Sequence, residues 1–88
     1  MTRSERVERA RVYECVALQT IAALDRAVYR VRTAVLAETQ AALHGRGISP
    51  LVAALHQAQL ADLEAQTVAA VCSLWLARRA RERAEAMR

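Results

Sequence analysis

At 88 residues, with 13 basic and 9 acidic side chains and a net charge of +4, the chain is too short for more than one small unit and too short to enclose a thick core unaided. Hydrophobic residues make up 55% of it, but twenty of them are alanine, phenylalanine is absent and the aromatics are Tyr13, Tyr29 and Trp75, so closely approaching helices are expected. Every basic residue is arginine, a choice that fits the codon usage of a GC-rich genome as well as it fits phosphate binding, and composition alone does not assign an anionic partner.

The chain opens on Met1-Thr2-Arg3-Ser4-Glu5-Arg6, which leads into alternating charges and not into a continuous apolar run. Export by a signal peptide is therefore not expected, and a cytoplasmic location is. The first arm shows Ile21, Leu24, Val28, Val31 and Val35 in steps of three and four, the spacing of a coiled-coil seam. The register extends back through Ala17, Glu14, Ala10 and Val7 and forward through Glu38 and Ala42, so the seam is strongest in its middle.

The two glycines and the one proline fall together in Gly45-Arg46-Gly47-Ile48-Ser49-Pro50. Glycine admits φ > 0, proline fixes φ and lacks an N–H, and Ser-Pro suits a helix start, so a bend is predicted at residues 44–50, with Gly45, Gly47, Ser49 and Pro50 as its turn residues. Helices are predicted over about 4–43 and about 50–85, with Ser49 as the second N-cap. The fold class is all-α, one antiparallel helical hairpin over residues 1–88, completed by an oligomer or a partner.

On the second arm the same spacing selects Ala53, His56, Leu60, Leu63, Thr67, Ala70, Leu74 and Ala77, and no cationic side chain stands on either stretch of seam. With the bend near residue 47, position n faces about 94 − n. Glu38 then meets His56, a polar pair suited to fixing register. Cys72 faces Ala22, leaving Cys15 about 10 Å away along the helix, too far for a disulfide. Two reduced, buried thiols are expected. The Arg-rich end should run beside Glu5, Glu8 and Glu14 and form Arg78–Glu82 and Arg81–Glu85 pairs four residues apart.

The seam leaves a second apolar strip unused: Leu18, Ala22, Tyr29, Leu36 and Leu43 on one arm, Val68, Val71, Trp75 and Leu76 on the other. At about 25 cal/mol per Å² of apolar surface, leaving it in water forgoes several kcal/mol, so another chain is expected to cover it. That chain is either a second copy, giving a four-helix homodimer, or a different protein.

No reaction chemistry is visible. His44, His56, Cys15 and Cys72 are scattered without an i, i+3 or i, i+4 pair, so no metal site is expected. No histidine falls near Cys15, Cys72 or Ser73, so neither catalytic residues nor a cofactor are expected and the chain is not expected to be an enzyme. Arg26, Arg30 and Arg32 point away from the seam as solvated surface. Uncharged runs stop at about ten residues, arguing against a membrane span, and the mixed charges of the tail argue against nucleic acid.

The break at Gly45-x-Gly47 with Ser49-Pro50, the thirteen-residue interval to Leu63-Glu64, and the apolar run Val68, Val71, Cys72, Leu74, Trp75 resemble the YscE-like (SctE) co-chaperones of type III secretion needle subunits. The likeness covers about residues 32–76; the first arm is longer than in that family, and the Arg-rich tail has no counterpart. The resemblance implies a small cytosolic hairpin that binds a helical-repeat chaperone, the pair keeping the needle subunit monomeric. Leu18, Ile21, Tyr29, Leu36, Val71 and Trp75 are the residues expected at the partner interface. The competing expectation is a homo-oligomeric bundle or assembly scaffold.

Overall fold

The computed structural model describes residues 1–47 and 49–87; Ile48 of the predicted bend and the final Arg88 lie outside the described residues. Two helices, α1 (Arg3–Leu43) and α2 (Pro50–Ala86), pack antiparallel as an all-α hairpin. The molecule is a rod, with extents of 68 × 15 × 15 Å.

Local chemistry explains where the helices start and stop. Thr2 caps α1, its hydroxyl accepting a hydrogen bond from the Glu5 backbone N–H at 3.1 Å. Thr2-x-x-Glu5 is the spacing of a capping box, and Glu5 also places negative charge at the positive end of the helix dipole. At the far end, the Arg46 N–H donates to the Ala41 carbonyl (3.0 Å) and the Gly45 N–H to that of Ala42 (3.1 Å). These two bonds form a Schellman motif, which requires a left-handed residue between them. Gly45 supplies it, with φ of 81°.

Helix α2 begins with Pro50 in its first turn, where a missing N–H costs nothing. Ser49 occupies the predicted N-cap, but through its backbone alone: its carbonyl accepts from the Ala53 N–H at 3.1 Å, while its side chain makes no capping bond. Arg83 stands in the last turn, opposite in sign to the dipole there.

Burial follows the predicted seam closely. On α1 the half-buried and buried residues run Val7, Ala10, Glu14, Ala17, Ile21, Leu24, Val28, Val31, Val35 and Glu38, with Ala27 and Ala34 half-buried beside them, and on α2 from Ala53 to Ala77 in the same steps. Two corrections apply at the ends. Ala42 is exposed and Ala41 is half-buried in its place, opposite the half-buried Ala53 of α2. The seam also continues past Ala77 through Arg81 and Ala84, so it does carry a cation.

Among the described residues the buried side chains are Ala10, Ala17, Leu24, Ala70, Ala77 and Ala84, each seven residues from the next on its helix. They meet as rungs: Ala17 and Ala77 line one groove, Ala10 and Ala84 another. A methyl group is all that separates the two backbones at these rungs, so the helices approach closely and no large side chain fits between them.

The seam predicts an asymmetric response to enlargement. Ala17→Leu should destabilise the hairpin by about 1–3 kcal/mol through overpacking, whereas Ala23→Leu, at an exposed position, should stay within about 0.5 kcal/mol of the parent. Urea unfolding followed by circular dichroism measures both, and equal midpoints for the two variants would refute the alanine seam. The turn gives a second contrast. A Cβ at either glycine meets nothing within 4 Å, so only backbone conformation matters. Gly45→Ala should cost about 1–2 kcal/mol for a left-handed alanine, and Gly47→Ala should be neutral or slightly stabilising; a loss of the same size at Gly47 would contradict this turn geometry.

Candidate functional site: two apolar flanks

Because the helices are antiparallel, residues one position before a seam residue lie on the same side of the rod on both helices, and residues one position after lie on the other. The first side forms a groove of about 500 Å³, lined by Tyr13, Val16 and Thr20 of α1 and Ser73, Leu76 and Ala80 of α2, with Ala17, Ala70 and Ala77 as its floor. It continues toward the chain ends as a second depression of about 310 Å³ that shares Tyr13 and Ala80.

Five of the six residues predicted at a partner interface share the opposite side. Leu18, Tyr29, Leu36, Val71 and Trp75 each follow a seam residue by one, and they are 48%, 72%, 58%, 48% and 54% exposed. Ile21 does not join them; it is half-buried in the seam itself and packs between the helices. Leu18, Val71 and Trp75 gather at one level of the rod, and Tyr29 and Leu36 extend the strip toward the bend. Trp75 carries the Arg79 guanidinium over its ring at 4.6 Å, a cation–π contact that fixes the indole while leaving its edge in water.

The grooved side was missed by the sequence reading, although Leu76 was placed in the apolar surplus. Tyr13 adjoins Glu14 at the end of a charged stretch and Val16 opens an uncharged one, and only a three-dimensional register shows that both come beside Leu76. The signal was present as the one-before rule, once the seam and its antiparallel direction were known.

Polar residues on the seam pair with each other. The His56 Nδ1 and Glu38 Oε2 lie 3.1 Å apart in a partly buried setting, the predicted meeting. Glu14 and Arg81 form a second pair, Oε1 to Nε at 3.0 Å, aligned as an ion pair and not as a hydrogen bond, with both atoms shielded from water. Around the open end, Arg11 approaches Glu85 at 3.8 Å, and Arg3 donates to the Ala84 and Glu85 carbonyls at 2.7–3.2 Å. These cross-helix contacts replace the expected Arg78–Glu82 and Arg81–Glu85 pairs: Arg81 and Glu85 both turn to α1, and no ion pair joins Arg78 to Glu82 among the described residues.

Both cysteines are free and, contrary to expectation, exposed. Cys15 follows the seam residue Glu14 by one position, which rotates it about 100° out of the interface, and Cys72 sits midway between seam residues Ala70 and Leu74 on the outer surface. Among the described residues, no three His, Cys, Asp or Glu side chains converge.

By length and composition alone, α2 is long and apolar enough to cross a membrane, and little of its apolar stretch is buried against α1. The same property in a hairpin means that the apolar content of α2 lies largely on its outside.

No family model, curated protein or solved structure matches this chain.

The cysteine placement is directly measurable. In the isolated hairpin without denaturant, Cys15 and Cys72 should both react fully with a thiol reagent such as DTNB, at rates within about tenfold of those in urea. A Cys72 that reacts only after unfolding would contradict its position on the outer surface, and selective protection of Cys15 would reveal a chain covering the Leu18 strip.

Proposed function

We propose that the protein is a helical interaction module whose working state is a complex, with the Leu18–Trp75 side laid against the helices of another protein. The observation that carries this reading is the inversion of its apolar residues: among the described residues one large hydrophobic side chain, Leu24, is buried, while sixteen are exposed, among them Tyr29, Leu36, Leu43 and Trp75. Isolated exposed leucines are ordinary, but large apolar side chains gathered at one level of one side, as Leu18, Val71 and Trp75 are, suit a surface completed by association.

The more specific form of the proposal is a cytoplasmic co-chaperone of the YscE-like kind, holding a helical-repeat chaperone that keeps a secretion needle subunit monomeric. Its support is the Gly45-x-Gly47, Ser49-Pro50 and Leu63-Glu64 pattern together with the two-helix hairpin that the pattern implies. The role asked of the hairpin needs no reaction chemistry. It covers apolar helices of a partner that would otherwise aggregate, and Trp75 is its strongest anchor by residue type and exposure.

Co-expression with the products of adjacent genes, followed by mass measurement of the purified complex, tests this reading. A stable 1:1 complex is expected, with the lone tryptophan's emission shifted to shorter wavelength as Trp75 leaves water. Trp75→Glu should weaken that complex by about 100-fold or more while circular dichroism stays unchanged. If the protein is instead a heat-stable homodimer that ignores those products, the scaffold reading takes over. If Trp75→Glu unfolds the hairpin, Trp75 belongs to the fold and not to an interface.

A further inference from the structure

The two sides of the rod differ in charge as well as shape. At the open end of the grooved side, the depression continuous with Tyr13 is lined by Arg6, Arg9 and Arg83, with no carboxylate among its lining residues. The opposite side at the same level has Glu8, Arg11 and Glu85 together, and there Arg11 pairs with Glu85. Arg6, Arg9 and Arg83 make no ion pair among the described residues; the Arg6 Nη1 meets only the Met87 sulfur, at 3.3 Å. Three arginines held at the mouth of an apolar groove account for most of a net charge of +4.

We infer that the grooved side is a second docking surface, which takes an amphipathic helix of a partner protein, its apolar stripe against Tyr13, Val16 and Leu76 and its acidic end against Arg6, Arg9 and Arg83. This rests on the reading of the hairpin as an interaction module and adds the chemistry of a partner. A groove of open ends and apolar floor between two helices is the seat of a third helix. Free cations at one end give that helix a direction, because carboxylates at the wrong end would meet Thr20 and Ser73 instead. A second copy seated groove to groove supplies little complement, since Asp62 is the one carboxylate among the one-before positions of either helix. A nucleic acid or phosphate would use the arginines and leave the apolar two-thirds of the groove uncovered.

Two synthetic 18-residue amphipathic peptides test this, identical in an Ala/Leu stripe and carrying either three glutamates or three lysines in one terminal turn, with fluorescein at the other end. Anisotropy at about 0.05 M salt should show the glutamate peptide binding at least tenfold more tightly, with the preference falling at about 0.3 M as the charges are screened. Arg6→Glu/Arg9→Glu/Arg83→Glu should reverse the preference, and Leu76→Glu should abolish binding of both, with circular dichroism unchanged in each. Trp75→Glu, on the other side, should alter neither.

Equal affinities that Leu76→Glu still removes would overturn the acidic partner but leave the interaction module standing. Binding of neither peptide overturns the grooved side as a docking surface, and the module is then judged by the Trp75 complex alone. Sedimentation that reveals salt-sensitive self-association lost in the triple variant, or binding to anionic vesicles in place of peptide, would also overturn the assignment by giving the groove to a second copy or to a membrane.

Discussion

The alanine rungs are the constraint on which the rest of this molecule depends. Where Ala10 meets Ala84 and Ala17 meets Ala77, each side chain buries a single methyl group, worth roughly 0.8 kcal/mol. The seam gains from close backbone approach and dispersion, but it gains little per residue, and it shuts out anything larger. Large apolar side chains that a wider interface would have absorbed are displaced to the flanks. At this end the alanines that let the helices pack leave Leu76 and Trp75 in water, so a thin seam and an apolar exterior are one property seen from two sides; toward the bend the seam widens to Val28, Val31, Leu60 and Leu63.

Alanines alone would not hold a unique register. A seven-residue slip of α2 along α1 would again place small residues opposite small ones near the open end. The polar seam residues oppose it: in the observed alignment Glu38 meets His56 and Glu14 meets Arg81, and a slip would leave four polar groups in a partly dry seam without partners. Removing one member of such a pair is far costlier than the pair is stabilising, which is how weak contacts select an alignment. The two pairs sit toward opposite ends of the seam, so they fix both the offset at the bend and the offset at the open end. Register in turn decides which side chains become neighbours on each flank.

This explains what could be read from the sequence. The bend was legible because Gly45 and Pro50 act through local backbone rules, and the seam was legible because its period persists over about eight turns from Val7 to Val35. The Glu38–His56 contact followed from those two facts by counting. Interface residues offset by one from the seam, such as Leu18 and Trp75, came out on a common side for the same reason. Three things did not follow. Ile21 was assigned to both seam and interface, and only burial separates the two roles. The cysteines were judged buried from residue type, although Cys15 and Cys72 both fall off the seam period. The partners of Arg81 and Glu85 depended on side-chain geometry across the helices, where a contact to α1 outcompeted an i, i+4 contact that spacing alone favoured.

The flanks differ in a way that the seam does not. One carries Leu18, Val71 and Trp75 at one level and Tyr29 and Leu36 nearer the bend, with Asp25, Arg32 and Glu64 between them and an Arg11–Glu85 pair at the open end. The other is a short apolar groove whose open end carries Arg6, Arg9 and Arg83, which make no ion pair among the described residues. A rod covered alike on both sides would accept partners in either direction and on either face. If both sides dock helices as proposed, the arginines of the grooved side would let the hairpin tell two equally apolar partners apart by the sign of charge at one end. Such discrimination arises without any added structure, from arginines placed one residue ahead of a seam that alanine has already made narrow.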